Sequence, residues 1–323
     1  MIFATEMAEI GKDIAKAKAY LEQGLLVGIP TETVYGLAAN ALNVEAVVRI
    51  FQTKNRPEFD PLIVHVANFD QVKMLVSAFP KPLLMLAERF WPGPLTLLLP
   101  KQPIVPDLVT SGLDTVGVRM PNHALTQQLL AQLDFPLAAP SANPFGYISP
   151  TKASHVNDQL GSGIPYILDG GSCDVGLEST IVGMEGDEVV VYRIGGLDLH
   201  YIQEVVGKLK VMDHSSSNPK APGMLKSHYA PRKPIVLGNL QEMVGSGLYH
   251  NFGILSFSQS FPEQKPESVQ ILSPNGNLSE AAKNLFTAMR TLDSVDVSVI
   301  LAELLPDEGL GKAINDRLRR AAA

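Results

Sequence analysis

Short apolar runs alternate with stretches of helical periodicity through the first two-thirds of the chain, and this pattern restricts that region to an α/β fold. The apolar runs predict strands over residues 25–29, 62–66, 95–99, 115–119, 137–139, 166–168, 179–182 and 188–193. The periodic stretches predict helices over residues 10–22, 44–53, 70–78, 83–90, 123–133 and 151–160. Glu185-Gly186-Asp187 predicts a hairpin between the last two strands. Ser149 is a predicted N-cap of the last helix, with Pro150 at its first position.

A run rich in turn-forming residues separates this region from the rest of the chain. Residues 213–234 have no apolar period, and this composition predicts an interdomain linker. Beyond the linker, predicted strands over 234–237, 253–257, 269–272 and 297–302 alternate with predicted helices over 278–292 and 310–321. This alternation is typical of a small Rossmann-like sheet. We therefore predict a first domain at 1–208, a linker at 209–233 and a smaller Rossmann-like α/β domain at 234–323.

Composition limits the class of protein. Of the 323 residues, 46% are hydrophobic and 18% are charged, as in globular proteins with sizeable cores. The start of the chain lacks a basic segment followed by an apolar run, and no stretch approaches the ~20 apolar residues that cross a bilayer. The single Cys173 excludes an intrachain disulfide and a Cys-x-x-Cys zinc site. These features predict a cytoplasmic protein that binds no membrane.

Charge and motifs exclude further classes. The net charge of −7 predicts no stable binding of nucleic acid over the whole surface, because phosphate binding needs basic residues, although a local basic cleft stays compatible with it. The chain has no G-x-x-x-x-G-K-[ST], G-x-G-x-x-G, His-Glu-x-x-His or G-x-S-x-G motif. The sequence therefore disfavours a P-loop NTPase, a metalloprotease and an α/β-hydrolase.

Polar side chains flank the first two predicted strands. Thr31 and Thr33 follow the first strand, while Lys54 and Arg56 precede the second, which ends near His65. Arginine offers a planar fork of donors and lysine a point charge, and proteins use both to bind phosphates and carboxylates. The segment therefore predicts a site for such a ligand. A solvated helix end and a core histidine are the structural alternatives.

Further strand ends carry side chains of the same kind. Ser141 and Asn143 follow a strand with small residues, which leave room for a ligand near the backbone. Arg119 ends another strand, and Ser179 and Arg193 belong to the predicted hairpin. Local turns and surface charges are the alternatives for these groups. Because open sheets present ligand sites at strand ends, we predict that these residues share one cleft.

These stretches closely resemble the threonylcarbamoyl-AMP synthase family in its two-domain form, a YrdC-like catalytic domain followed by a C-terminal extension. The resemblance lies in Pro30-Thr-Glu-Thr-Val-Tyr-Gly36, Lys54-Asn-Arg-Pro57, Pro61-Leu-Ile-Val-His65, Pro140-Ser-Ala-Asn143, Glu178-Ser-Thr-Ile181 and Arg193. It continues in Ala221-Pro-Gly-Met-Leu-Lys-Ser-His-Tyr-Ala-Pro231 and in Gly309-Leu-Gly-Lys-Ala-Ile-Asn-Asp-Arg-Leu318. It implies a YrdC-like twisted mixed sheet with flanking helices, followed by the smaller Rossmann-like domain.

The resemblance also implies an activity. Family members are L-threonylcarbamoyladenylate synthases, nucleotidyltransferases that join L-threonine, bicarbonate or CO₂ and ATP with release of pyrophosphate. The product serves the threonylcarbamoyladenosine modification of tRNA. Mg²⁺ is expected to accompany ATP without a dedicated protein site, since it commonly keeps its waters. The implied partners are the small-molecule substrates and the downstream proteins that transfer the threonylcarbamoyl group to tRNA.

The resemblance assigns roles to the candidate residues. Lys54 and Arg56 are the expected catalytic residues, because this chemistry needs positioning and charge stabilisation rather than a nucleophile. The expected ATP-binding residues are Lys54, Arg56, Ser141, Asn143, Ser149, Arg193 and Tyr229. The expected threonine-binding residues are Thr33, His65, Arg119, Ala139 and Ser179. Tyr229 is expected to fold over the nucleotide as a lid, and Arg119 to bind the threonine carboxylate with both arms of its fork.

Asp60 departs from the family pattern, in which we expect an asparagine. An anion there opposes a nearby triphosphate unless Mg²⁺ or a cation offsets it. Three other functions stay open from the sequence: an RNA-binding module, a regulatory binder of adenine nucleotides, and the carbamoyl-adenylate chemistry of hydrogenase maturation on the same fold. The acidic charge and the lack of clustered aromatic residues oppose the first. The single cysteine opposes the third, whose members carry zinc fingers.

Overall fold

A mixed sheet of eleven short strands forms the larger part of the computed structural model, which describes residues 7–212, 221 and 228–323. In chain order the strands are β1 Glu9–Gly11, β2 Val27–Ile29, β3 Gly36–Asn40, β4 Ile63–His65, β5 Leu95–Pro100, β6 Thr115–Arg119, β7 Leu137–Ala138, β8 Tyr166–Leu168, β9 Thr180–Glu185, β10 Glu188–Arg193 and β11 Lys210–Val211. Their order across the sheet is β1-β8-β2-β3-β7-β4-β6-β5-β9-β10-β11. The predicted mixed α/β sheet is confirmed.

Helices cover both faces of this sheet. They are α1 Ile14–Glu22, α2 Val44–Lys54, α3 Phe69–Leu75, α4 Lys81–Phe90, α5 Asp107–Thr110, α6 Ala124–Leu130, α7 Ala153–Leu160 and α8 Leu199–Val206. Leu37 of β3 packs in one apolar cluster with residues of α2 and α4, while the next residue, Ala38, packs in another with residues of α1 and α6. Successive side chains of a strand point to opposite faces, so the sheet has a core on each side.

The end of α2 sets the directions of the two cations predicted as site residues. The Asn43 side chain caps the start of α2 by accepting from the Ala46 N–H. At the other end, Asn55 adopts the left-handed conformation with φ 50°, which ends the helix. Lys54 therefore belongs to the last turn of the helix, whereas Arg56 belongs to the loop that leads to β4.

A second, four-stranded sheet follows. Its strands are β12 Ile235–Leu237, β13 Phe252–Ser256, β14 Val269–Ile271 and β15 Val299–Ala302, and its helices are α9 Leu240–Gly245, α10 Leu278–Ser294 and α11 Leu310–Ala321. The order is β12-β15-β13-β14, and every pairing is parallel. Helix–strand alternation with parallel pairing agrees with the Rossmann-like prediction. No helix in the described ranges combines the length and apolarity that crossing a bilayer requires.

The two sheets share an apolar cluster. Phe286 and Leu318 of the second unit pack together with Ile148, Leu177 and Tyr229. Most of the predicted linker, residues 213–220 and 222–227, lies outside the described residues. The boundaries at 208 and 234 stay a prediction.

Several local predictions were wrong. Residues 10 and 11 belong to β1, and α1 begins only at Ile14. Ser149 is not an N-cap, because α7 begins at Ala153 and the Ser149 hydroxyl donates to Glu178 instead. The prediction missed the helices α5, α8 and α9 and the strands β1, β3 and β11. The β3 sequence Gly-Leu-Ala-Ala-Asn lacks β-branched residues, and its extended form comes from pairing with β2 and β7.

Candidate active site

One cleft brings together side chains from the ends of several strands. The empty space between its walls, open solvent included, is about 580 Å³. The predicted site residues that line it are Thr33, Arg56, His65, Arg119, Ala139, Ser141, Ser179, Arg193 and Tyr229. Three predicted residues, Lys54, Asn143 and Ser149, do not line the cleft but are buried. The cleft is therefore lined by all five residues predicted for threonine and by four of the seven predicted for ATP.

The sheet register explains why residues far apart in sequence meet here. β4 and β6 are parallel neighbours in which His65 lies opposite Arg119. On the other side, Gly36 forms an isolated bridge with Ser141. A Cβ at Gly36 would lie only 3.1 Å from the Cβ of Ala139. Glycine at this position therefore allows the two backbone segments to approach closely.

The guanidinium of Arg119 contacts two other residues of the protein. Its Nη2 lies 2.7 Å from Oε2 of Glu32, and its Nε donates to the Gly93 carbonyl at 3.3 Å. Both members of the ion pair are buried. Within the described residues Nη1 has no hydrogen-bond partner. A ligand carboxylate therefore meets Nη1 first, and binding through both arms requires competition with Glu32.

His65 is a neutral histidine in this environment. It is only 2% exposed, and burial, assisted by the nearby Arg119, lowers the pKa of His65 to about 3. Its Nδ1 has no hydrogen-bond partner among the described residues. At neutral pH the ring therefore offers a hydrogen-bond donor and an acceptor but no charge.

The depressed pKa of His65 predicts a loss of stability in acid. Between about pH 6.5 and about pH 3 the unfolded chain holds a proton that folded His65 does not, so stability falls as the pH falls. Between about pH 7.5 and about pH 5 this effect amounts to about 2 kcal/mol. Urea unfolding at both pH values should therefore show a smaller loss for His65→Gln than for the wild type. Equal losses in both proteins would contradict the assignment.

Arg56 and Asp60 form a buried ion pair at the cleft wall. Arg56 Nη2 lies 2.9 Å from Oδ2 of Asp60 and donates to the Pro61 carbonyl at 2.8 Å. Arg56 Nε donates to the Asp60 carbonyl at 3.1 Å. Burial lowers the pKa of Arg56, and the Asp60 carboxylate opposes this shift. Arg56 is thus a cation that offsets the unexpected aspartate.

Replacing this aspartate tests its effect on anion binding. Asp60→Asn removes a negative charge beside the cleft and keeps a side-chain oxygen that accepts from Arg56. We expect the KM for ATP to fall by about three- to tenfold. We also expect stability to fall by about 1–3 kcal/mol, because the buried guanidinium loses its counter-ion. Steady-state rates with varied ATP and urea unfolding measure the two effects, and a raised KM would contradict the account.

Lys54 binds the loop that carries Ser141 rather than pointing into the cleft. Its Nζ donates to the carbonyls of Ser141 and Asn143. Burial and the nearby Arg56 lower the pKa of Lys54, while Asp60 opposes the shift. The Asn143 amide donates to the Pro144 and Tyr147 carbonyls at 2.8 and 2.9 Å. Both predicted residues therefore fix the shape of this loop.

Arg193 and Ser179 form a third polar group. Arg193 Nε and Nη2 donate to the Ser179 carbonyl at 3.1 and 2.8 Å, and Nη2 also contacts the Ser179 hydroxyl at 3.1 Å. The same hydroxyl lies 2.7 Å from that of Thr96. Both residues line the cleft and are buried. The predicted meeting of the two hairpin strands at the site is observed.

Tyr229 lines the cleft and also belongs to the apolar cluster that the two units share. It is 1% exposed, stacks on Phe286 at 5.7 Å, and lies below the guanidinium groups of Arg317 and Arg320 at 5.0 and 4.7 Å. Its φ of 66° is in the left-handed region, which is costly for a tyrosine. His228 beside it also lines the cleft. Residues of the second sheet's helices therefore hold this part of the wall.

The described residues offer neither a thiol nucleophile nor a cluster of metal ligands. Burial raises the pKa of the Cys173 thiol to about 12, so it is not a nucleophile at neutral pH. Within the described ranges no group of three or more His, Cys, Asp or Glu side chains is placed to hold a metal ion. The cleft itself is therefore dominated by arginines and hydroxyls.

Sequence reasoning missed several residues at this site. Glu178 and His228 line the cleft, and Glu32 pairs with Arg119. Glu32 stands within the Pro30–Gly36 stretch, and His228 directly precedes Tyr229, so their neighbours were already a signal. Glu178 opens another of the recognised stretches, but its partner Arg317 lies 139 positions away. No local pattern connects those two residues.

Comparison with known proteins places the chain in a family. A family model described as Sua5/YciO/YrdC, telomere recombination, matches residues 19–195, and one described as threonylcarbamoyl-AMP synthase, C-terminal domain, matches residues 197–323. The chain is 40% identical to the threonylcarbamoyl-AMP synthase of Pyrococcus abyssi over 332 residues, covering 95% of this chain and 93% of that protein. It is 38% identical to the Bacillus subtilis threonylcarbamoyl-AMP synthase over 330 residues, covering 98% and 95%.

Solved structures agree with this placement. The crystal structure of P. abyssi Sua5 complexed with L-threonine is similar to this fold with a TM-score of 0.90 at 39% identity, covering 98% of each chain. Escherichia coli YciO covers 58% of this chain and 96% of its own, with a TM-score of 0.53 at 20% identity. The similarity to YciO concerns the fold and carries no statement about function.

The two sheets and the arginine-lined cleft define an α/β enzyme for an anionic small-molecule substrate. Matches in sequence and in structure extend over nearly the whole chain. The chain belongs to the threonylcarbamoyl-AMP synthase family. The predicted recognition and enzyme class are confirmed, and the relatives support this function rather than an RNA-binding or regulatory one.

Proposed function

We propose that this protein joins L-threonine, bicarbonate or CO₂ and ATP into threonylcarbamoyl-adenylate and releases pyrophosphate. The observation that carries the proposal is the convergence of Arg56, Arg119 and Arg193, all buried, on one cleft. Buried guanidinium groups favour a ligand with several negative charges over a neutral one. A triphosphate and an amino-acid carboxylate supply those charges.

The contacts support a separate place for each substrate. Threonine lies against Arg119, whose Nη1 donates to the carboxylate, with the hydroxyls of Thr33 and Ser179 and the neutral His65 around it. The small Ala139 leaves space for its side chain. This assignment follows from the cluster that β4 and β6 form at one side of the cleft.

ATP lies against the other side. Arg56 Nη1, which has no hydrogen-bond partner within the described part of the chain, donates to the phosphates together with Arg193. Ser141 and Tyr229 contact the nucleotide. Direct ATP contacts by Lys54, Asn143 and Ser149 stay a prediction, because their present contacts support a role in holding the loop and wall behind the ligand.

The reaction follows from this arrangement by positioning. The threonine amine attacks CO₂ and loses a proton to solvent, which gives a carbamate. A carbamate oxygen then attacks the α-phosphorus, whose bond to the bridging oxygen breaks as pyrophosphate leaves. Arg56 stabilises the charge that develops on the phosphates, and the adjacent substrates react as if in one molecule. His65, with a pKa of about 3, is too weak a base to accept a proton at neutral pH. It orients the threonine instead.

Mg²⁺ enters this proposal as part of the substrate. The buried carboxylates of Asp60 and Glu178 are each paired with an arginine, so they are poor ligands for an added cation. The ion would keep its waters and stay on the triphosphate, as Mg²⁺ commonly does. We further propose that the enzyme acts in the cytoplasm and that proteins which modify tRNA consume its labile product.

Pyrophosphate release tests the proposed activity. Release should require ATP, threonine and bicarbonate together, because the carbamate forms only when both of the latter are present. The matched controls omit one substrate at a time or replace threonine by valine, which lacks the hydroxyl. Release that continues without threonine would mean that the protein is another kind of ATPase.

A further inference from the structure

A buried carboxylate lines the cleft that we assign to anionic substrates. Glu178 is 6% exposed. Its Oε1 accepts from the Ser149 hydroxyl at 2.5 Å, and its Oε2 accepts from Arg317 Nε at 2.9 Å. A negative charge at this place repels a triphosphate unless a cation compensates it. The identity of that cation therefore matters for substrate binding.

The cation comes from the second unit of the chain. Arg317 belongs to α11, is fully buried, and extends its guanidinium to the first unit. Nη1 donates to the Ile194 carbonyl at 2.9 Å, while Nε faces Glu178. A planar fork with donors on two edges is suited to holding both acceptors at once. Nη1 also donates to Asp316 Oδ2 at 2.5 Å, and the guanidinium lies over the ring of Tyr229.

Glu178 also has a second cationic neighbour, which belongs to the cleft. Burial opposes ionisation of Glu178, but Arg317 and Arg193 together with the Ser149 hydroxyl hold the pKa of this carboxyl below its ordinary value. Arg193 contacts Ser179, the next residue in the chain. Of these two arginines, Arg317 is the one that forms an ion pair with the Glu178 carboxylate.

We propose that Arg317 is a positioning residue that neutralises Glu178 and so prevents a negative charge in the cleft from repelling the anionic substrate. The inference rests on the proposed function. It gives the C-terminal unit a direct part in substrate binding, since the charge of the cleft depends on α11. Removing Arg317 leaves the Glu178 carboxylate without this ion-pair partner. Removing both charges restores the net charge of the cleft.

Titration calorimetry with α,β-methylene-ATP tests this inference without turnover. Arg317→Gln should weaken binding by about tenfold or more, as truncating one partner of a buried charge pair does. The double variant Glu178→Gln/Arg317→Gln should bind within about threefold of the wild type. A purely structural role of Arg317 predicts no such recovery. Arg319→Gln is the matched control, because it removes an exposed charge from the same helix.

Each outcome of the calorimetry either supports or overturns the inference. Equal affinity of the wild type and Arg317→Gln, or a double variant as weak as the single one, would overturn the inference while leaving the proposed function intact. No binding by the wild type would overturn both. If Arg317→Gln does not fold, the double variant Glu178→Gln/Arg317→Gln carries the test alone. It should bind within about threefold of the wild type, and a loss above about tenfold would refute charge balance as the cause.

Discussion

Replacing Arg56 by alanine should reduce the turnover of threonylcarbamoyl-adenylate synthesis by about 10²-fold or more. Loss of one preorganised donor to developing charge commonly has an effect of that size. Arg56 is held by Asp60 and the Pro61 carbonyl, so its remaining donors are fixed before the substrate arrives. Initial rates of pyrophosphate release at saturating substrates measure the effect.

Stability must be separated from catalysis in this experiment. Arg56→Ala removes one half of the buried ion pair with Asp60, which costs a few kcal/mol. The double variant Arg56→Ala/Asp60→Asn should regain stability but not turnover. Arg89→Ala, which removes an exposed arginine from α4, should behave as the wild type. A rate near that of the wild type in the folded Arg56→Ala protein would remove this residue from the catalytic site.

Replacing Arg119 by alanine should raise the KM for threonine by about 10- to 100-fold. A hydrogen bond to a charged group contributes about 1.5–3 kcal/mol, and the carboxylate of threonine is the group that we assign to Nη1. The KM for ATP should change little, because the nucleotide lies against Arg56 and Arg193. Rates measured with each substrate varied in turn give both constants.

The partner of Arg119 provides the control. Glu32 pairs with Arg119 at 2.7 Å, so Arg119→Ala also leaves a buried carboxylate beside the threonine site. Arg119→Ala/Glu32→Gln removes that charge and should still show the raised KM. An unchanged KM for threonine in both variants would show that the amino acid binds elsewhere.

The sequence predicted most of the first sheet because its strands are apolar and end at polar residues. The predicted strands at 115–119, 166–168 and 188–193 agree with the structure to the residue. The strand β3 escaped because alanine and glycine have little strand preference of their own. Its place depends on pairing with β2 and β7, which no local pattern reveals.

The candidate site likewise contains residues that the sequence predicted and contacts that it could not predict. His65, Arg119 and Arg193 stand at strand ends, and the sheet register brings strand ends together. Lys54 was assigned to phosphate from its charge and from the family resemblance, and that role stays a prediction; its ammonium contacts carbonyls of the Ser141 loop, which its sequence position does not reveal. Contacts between the units, such as Glu178 with Arg317, arise only when two separate folds dock.

The most direct test of one cleft holding both substrates is mass spectrometry of the product. The protein is mixed with ATP, threonine and ¹³C-labelled bicarbonate, and the mixture is analysed before the adenylate decays. We predict an adenylate that contains threonine and carries the label in its carbamoyl carbon. A mixture in which ATP is consumed but only unlabelled or threonine-free products form would contradict the central claim.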